Sequence, residues 1–448
     1  MSVPLDRLYQ FIESTISEVY GNVIIYQFWP HGSKKLDNLS KLHPDVDWCE
    51  TMLVPAVVCN DQEPLNYEFY QNHPAHQLNY FVELAQRYDC NVPTNLERHS
   101  IFDKNVVLHS EKNSPEVDRY AGDDRFIPAY YWSHAVISLD WFRYAKHVNQ
   151  NKTVEKNFLI YNRAWAGTRE YRIKFTELLI KHDLVPHCKT TFNPEDPDTK
   201  VHYTHHEFKN SVWKSDLNLH GVFPTNELNS CASADFVLGD YEHCDIEVVL
   251  ETLFDDLRVH LTEKILRPIA CAQPFILVSP PASLQYLKDY GFLTYDTVWD
   301  ESYDNITDPA LRLQNIIELM KTIANWDPKT KMQKMIQARA IAEHNKKHFF
   351  SDDFFNLVLT ELKTNIKTAL VEVVQTNTSS RFLQYRKEYA QHHELKQIIN
   401  GRVPHPNVKH LPTGDIEKQT YFNTDKIMTV LKQARKYYDN ASGQTRND

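Results

Sequence analysis

Apolar positions along the chain alternate between two periods, one near four residues and one of short continuous runs. In residues 4 to 19, Leu5, Leu8, Ile12, Ile16 and Val19 recur at helical spacing, and NVIIYQF (22 to 28) follows as a β-branched strand closed by the turn WPHGS. The strands MLVPAVV (52 to 58) and NVVLHSE (105 to 111) come next, with a helix around Gln77 to Gln86 between them. The amphipathic segment SHAVISLDWFRYAKH (133 to 147) then leads into the polar run VNQNKTVEKN. That run predicts a domain boundary. Beyond it stand the strand FLIYN (158 to 162), a helix over 168 to 182, DFVLGD, the strand IEVVLE (246 to 251), a helix from Thr262 and the strand PFILVS (274 to 279). After residue 350 strand signals thin out and helical patterns dominate. Strands separated by helices predict βαβ units and parallel sheets. The expected architecture is α/β: residues 1–150 and 151–350 as two doubly wound domains, and 351–448 as a helical extension.

Length agrees, since 448 residues exceed what one core holds at ~150 residues per domain. Composition removes several function classes. Only 10 glycines occur, against a usual ~7%, and no window holds the cluster that a P-loop or GxGxxG nucleotide site needs. A nucleotide would have to be held by side chains and helix ends, and a phosphate-loop kinase is disfavoured. The seven cysteines are scattered without a CxxC pair, a pattern of reduced thiols in a cytoplasmic protein. No apolar run approaches ~18 residues, so no membrane association is expected. The net charge of −10 opposes indiscriminate nucleic-acid binding while leaving room for a local basic groove.

In doubly wound folds ligands bind beyond the carboxyl ends of the strands, which directs attention to three places. The first is FLIYNRAWAGTREYR, where a strand delivers Asn162 and Arg163, Gly167 permits a turn, and Thr168 can cap a helix carrying Arg169 and Arg172. The segment reads equally as a surface helix whose arginines pair with Glu170 or Glu177. The second is VVLETLFDDLRVHLTEKILRPIACAQPFILVS: Glu251 ends a strand, and Thr262, Glu263 and Lys264 open a helix. An acid and an ammonium at a helix start suit a nucleoside diphosphate, although a capping box with an exposed ion pair has the same letters. The third is the strand-end chemistry of the amino-terminal half. Asp61 and Glu63 in NDQEP, His31 in WPHGS, and His109 and Glu111 in VVLHSE stand at strand ends with groups able to take a proton; Asp61 and Glu63 also read as caps of a following helix. HYTHHE (202 to 207) and the triplets DVD (45 to 47) and DPD (196 to 198) are weak metal signals, and WDESYD (299 to 304) reads first as a capping or loop acid cluster.

HLTEKILRPIACAQPFILVSPPASLQYL is similar to the donor-binding part of GT-B glycosyltransferases, above all to the fucosyltransferase-like order of strand-ending Glu, Thr-Glu-Lys helix start and Pro-containing strand. NDQEPL, VVLHSEKN, YYWSHAVISLDWFRYA, YNRAWAGTREYR, TEKILRPIA and FLTYDTVWDESYD together resemble phage-encoded glycosyltransferases, in particular the DNA hydroxymethylcytosine arabinosyltransferases of T-even-like phages, over roughly residues 20 to 350. The resemblance implies two Rossmann-like domains facing across a cleft, the amino-terminal one binding the acceptor and supplying the catalytic carboxylate, Asp61 before Glu63, with His31, His109 and Glu111 as further acceptor-side candidates. It also implies a nucleotide-sugar donor, UDP-linked before GDP-linked, held by Glu263 and Lys264 near Glu251, with NRAWAGTREYR reaching the phosphates. The implied acceptor is 5-hydroxymethylcytosine in double-stranded DNA; a glycan or protein acceptor, or a sugar- or DNA-binding module without activity, are the alternatives. No tightly bound cofactor and no structural metal are expected. Two departures stand out: Ala272 and Gln273 replace an expected glycine, and the chain is acidic.

Overall fold

The computed structural model describes residues 24–27, 56–59, 105–123, 126–147, 152–225 and 237–377. They form two compact units, one of the described residues up to Ser133 with those from Val358, the other His134–Leu357. The divisions fall away from residues 150 and 350. The first lies inside a helix that the polar run follows, and Lys152 of that run belongs to the second unit, where its ammonium donates to the carbonyls of Tyr241 and Cys244. Lys152 thus serves backbone carbonyls of the helix Leu238–His243 and the strand Cys244–Leu250 in that unit. The described part of the carboxyl-terminal segment is divided between the units instead of standing apart.

The first unit holds a parallel sheet, β1 (Ile24–Gln27), β2 (Ala56–Cys59), β3 (Asn105–His109) and β4 (Phe126–Tyr130), in chain order. Helix α1 (Pro115–Ala121) connects β3 to β4, opened by Ser114 as N-cap and by proline at its first position. Val106, Val107 and Leu108 are fully buried. The sequence pattern gives no hint of β4, because FIPAY carries a proline. The structure explains the tolerance: β4 is an edge among the described strands, Pro128 faces Val107 in the register, and alternate residues are half-exposed. The chain then passes through α2 (Ser133–Trp141) into the second unit.

The second unit is built on β5 (Lys156–Ile160), β6 (Cys188–Thr190), β7 (Cys244–Leu250) and β8 (Phe275–Val278), all parallel, in the order β6-β5-β7-β8. Helix α3 (Tyr171–Lys181) crosses from β5 to β6, α4 (Leu238–His243) precedes β7, and α5 (Glu263–Ala270) crosses from β7 to β8. Helices α6 (Ser283–Asp289), α7 (Pro309–Ala324) and α8 (Pro328–Phe349) follow. Both α7 and α8 begin at Asp-Pro, with Asp308 accepting from the Leu311 amide and Asp327 from those of Lys329 and Thr330. Helix α9 (Asp352–Asn377) begins in this unit and continues into the first, where Asn365 donates to the Tyr130 carbonyl at 2.7 Å. None of the described helices is long and apolar enough to cross a membrane.

Every residue of β7 is buried, as a central parallel strand requires, yet two of them are acids. Asp245 meets Lys331 and Arg339 of α8, both at 2.9 Å. Glu247 receives the Arg267 guanidinium of α5 at 2.5 Å and the Tyr241 hydroxyl at 2.7 Å, while Arg267 lies 4.3 Å from the Tyr161 ring centroid. Helix α5 ends in a tight reversal: the Gln273 amide donates to the Pro268 carbonyl at 2.9 Å, and Ala272 adopts φ +52. One residue of the expected-glycine departure therefore sits in the left-handed region, at a cost of about 1–2 kcal/mol.

The acid cluster WDESYD does cap and close loops. Asp304 accepts from the Ser283 and Leu284 amides, and Glu301 from the Tyr295 amide at 2.8 Å. Burial pushes Glu301 up to about 7 and Asp304 up to about 6. A carboxyl whose pKa is raised by folding contributes most below its unfolded value, and that contribution is lost as pH rises through the folded one. Glu301→Gln, which retains the acceptor for Tyr295, is expected to flatten the loss of stability between pH 5 and 8. Denaturant titrations at pH 8 should show a gain of about 1–2 kcal/mol over the parent.

Candidate functional site

The strand order of the second unit reverses between β5 and β7: β6 lies to one side, β7 and β8 to the other. That is a topological switch point, and the crevice beyond it is where doubly wound sheets hold ligands. The described strands of the first unit run in simple chain order and show no such reversal. Beyond the switch point lie the residues after Ile160 and after Leu250, which include most of the expected donor set.

At the end of β7, the Glu251 carboxylate is fully buried and already engaged. It accepts from the Thr262 amide at 3.2 Å, the Thr262 hydroxyl at 2.7 Å and the Thr252 amide at 3.3 Å. Thr262 is the N-cap of α5, as the sequence indicates. Its hydroxyl gives its one proton to Glu251 and accepts from the Lys264 amide and ammonium, at 3.4 and 3.1 Å. The Lys264 ammonium also lies 3.1 Å from the Thr252 hydroxyl and 3.0 Å from Glu263. The reading of an exposed ion pair fails here, because Glu263 is only 5% accessible.

Sequence reasoning missed the partner of Glu263. His134, on α2 of this unit, places Nδ1 3.2 Å from the Glu263 amide and 3.2 Å from its Oε2. Unprotonated, Nδ1 accepts the amide proton; protonated, it donates to the carboxylate. His134 Nε2 is buried and has no hydrogen-bond partner, and the ring stands edge-on to His260 at 5.4 Å. Burial raises the Glu263 pKa, but the Lys264 charge and the His134 bond outweigh it and hold the carboxyl well below the ordinary range. A cation, an ionised carboxylate and the amides of a helix start thus converge at one strand end.

The arginine segment divides its labour. Gly167 takes φ +71, as the turn demands. Thr168 is not a cap: α3 begins at Tyr171 behind Glu170, and a short 3₁₀ turn occupies Gly167–Arg169. Arg172 is buried, donating to the carbonyls of Ala164, Leu250 and Glu251, and the Tyr171 hydroxyl adds a 2.6 Å bond to Glu251 O. Arg172 therefore ties the ends of β5 and β7 together instead of facing a phosphate. Arg163 and Arg169 remain partly exposed and meet on Asp198. The Asn162 amide group is buried and donates to Thr176 on α3.

His109 and Glu111, at the end of β3, are described and buried. Burial pushes the His109 imidazole down to about 4, so it is neutral at physiological pH; it accepts the Glu111 amide, while the Glu111 carboxylate accepts from Ser114. Asp61, Glu63 and His31 lie outside the described residues, as does DVD. Asp196 of DPD spends its carboxylate on the amides of Trp165, Ala166, Asp198 and Thr199, and His206 of HYTHHE bonds Glu170. Among the described residues no group of three or more His, Cys, Asp or Glu side chains is placed to hold a metal ion.

No family model, curated protein or solved structure matches the chain.

Proposed function

We propose that this protein is a nucleotide-sugar-dependent glycosyltransferase, GT-B-like in architecture, whose donor site is the start of α5. The observation that carries the reading is the gathering of Lys264 and the ionised Glu263 at the start of α5, beside a switch point of a parallel sheet. Glu263 is suited to accept ribose hydroxyls. Lys264 and the helix end oppose the charge of a leaving diphosphate. Two parallel α/β units in one chain agree with the paired Rossmann-like domains that the resemblance implies.

In this reading a carboxylate of the amino-terminal half, Asp61 before Glu63, takes the acceptor hydroxyl proton as the oxygen attacks the anomeric carbon. The sugar–phosphate bond breaks as the new bond forms, and the nucleoside diphosphate departs. The resemblance supplies the acceptor, 5-hydroxymethylcytosine in duplex DNA, and a pentose or hexose carried on UDP. Mass spectrometry of hydroxymethylated duplex DNA incubated with a panel of UDP- and GDP-sugars reads donor and acceptor together. A pentose or hexose increment is expected. Labelling confined to proteins, lipids or free glycans removes the DNA acceptor, and no turnover with any donor removes the transferase. Asp61→Asn is expected to retain donor binding and lower turnover roughly 10²-fold or more; an unchanged rate moves the base to Glu63.

A further inference from the structure

Helix α8 has two faces of different chemistry. The inner one buries Met335, Ala338 and Ala342 and sends Lys331 and Arg339 to Asp245 of β7. The outer one carries Lys329, Met332, Ile336, Ala340 and Glu343, all exposed and spaced by three or four residues, so that they stand in one row along the helix. Met332 and Ile336 are 61% and 62% accessible, the two most exposed large apolar side chains among the described residues. A solitary exposed apolar side chain is ordinary. Two on adjacent turns of one helix, with a cation at one end and an anion at the other, have the apolar centre and polar rim of a contact surface.

The order of residues in the row selects the partner. A second copy of α8, turned antiparallel about a two-fold axis at Ile336, pairs each position with the one equally far on the other side. Ile336 then meets Ile336, Met332 meets Ala340, and Lys329 meets Glu343. A long side chain faces a short one on either side of the centre, and opposite charges close both ends. Helices packed face to face approach to about 8–10 Å, which a small residue opposite a large one permits. Other arrangements match less well. Moving the axis to position 338 sets Lys329 against Lys347, and a parallel pairing sets each charge beside its own kind. Neither Lys329 nor Glu343 is taken up in an ion pair among the described residues; Glu343 lends only its field to Lys346, three residues on.

We propose that the outer face of α8 is a homodimer interface, occupied by α8 of a second copy in antiparallel register about Ile336. From Lys329 to Glu343 the row spans about 21 Å at the helical rise of ~1.5 Å per residue. One helix pair of that length buries less than a standard interface, so the association is weak and concentration-dependent. The inner face of the same helix holds Asp245 of β7, so the dimer joins two copies through a helix anchored to the sheet. The proposal does not rest on the transferase reading.

Sedimentation velocity of the full chain, from low to several hundred micromolar, tests this. A reversible monomer–dimer equilibrium is expected. Lys329→Glu and Glu343→Lys each bring like charges together at both ends of the pair, and each is expected to weaken the dimer roughly tenfold or more. An equimolar mixture of the two variants is expected to restore it, because each copy then meets the opposite charge at both ends. Ile336→Asp is expected to abolish it. All three positions are exposed, so circular dichroism of the dilute variants should match that of the parent. A monomer at every concentration overturns the proposal; if Met332 in that monomer also resists peroxide oxidation, the face is covered by another segment of this chain. A dimer that Ile336→Asp leaves intact places the contact elsewhere. A dimer weakened by both charge reversals but not restored by mixing them overturns the antiparallel register.

Discussion

Arg267→Met is expected to destabilise the protein by about 3–5 kcal/mol, because it leaves a carboxylate without its cation inside the second sheet. Glu247 has no solvent access, and burial already raises its pKa even with Arg267 beside it. Without the guanidinium the Tyr241 hydroxyl is left facing the carboxyl, which will take up a proton rather than stay charged. The sign of the pH dependence follows: a carboxyl raised further by the substitution loses its stabilising form as pH increases, so the deficit grows from acid to neutral pH. Chemical denaturation at pH 5 and pH 8 measures both effects. Glu247→Gln in the same background removes the buried charge and is expected to recover a large part of the loss. A single variant within about 1 kcal/mol of the parent would mean that water reaches Glu247 and that the pair is not the lynchpin of the β7–α5 contact.

Lys264→Ala should have the largest effect on the proposed reaction, lowering kcat/KM by about 10²–10³-fold, the range seen when one donor opposing developing charge is removed. The Lys264 ammonium touches Glu263, Thr252 and Thr262 at 3.0–3.1 Å in three directions. A planar guanidinium cannot reproduce that arrangement, so Lys264→Arg is not expected to rescue activity. Losses shared between kcat and KM would place the charge on the departing diphosphate as well as on the bound donor. The same variant has a signature independent of turnover. Glu263, held low chiefly against burial by Lys264, contributes stability that disappears as pH falls through its folded pKa; without the lysine that pKa rises, and acid unfolding begins at higher pH. Full activity with an unchanged acid limb would remove Lys264 from the site.

The parts of this architecture that could be read from the chain are those in which local chemistry and tertiary role coincide. The runs NVVLH, IEVVLE and PFILVS are apolar because their strands are buried on both faces, and they stand where expected. Thr262, Glu263 and Lys264 announce a helix start, and the start is there. FIPAY and CKT escape because an edge strand tolerates proline and a three-residue strand has no period to detect. His134 could not be found from spacing: 129 positions separate it from Glu263, and only the fold joins them. Arg172 misleads for a related reason, since the letters of a phosphate-binding arginine are also those of an arginine that secures backbone carbonyls at two strand ends. Lys152, in the polar run read as a boundary, donates to the carbonyls of Tyr241 and Cys244, contacts that the polarity of the run alone does not announce.

The bracket between Glu251 and Thr262 bears on the thermodynamics of recognition. Ordering one residue of backbone costs about 1–2 kcal/mol in conformational entropy. Here the loop from Thr252 to Leu261 is fixed at both ends by one carboxylate, so the start of α5 is ordered when the unit folds. A ligand docking there meets side chains already held in place, and its affinity is not reduced by a population in which the site is unmade.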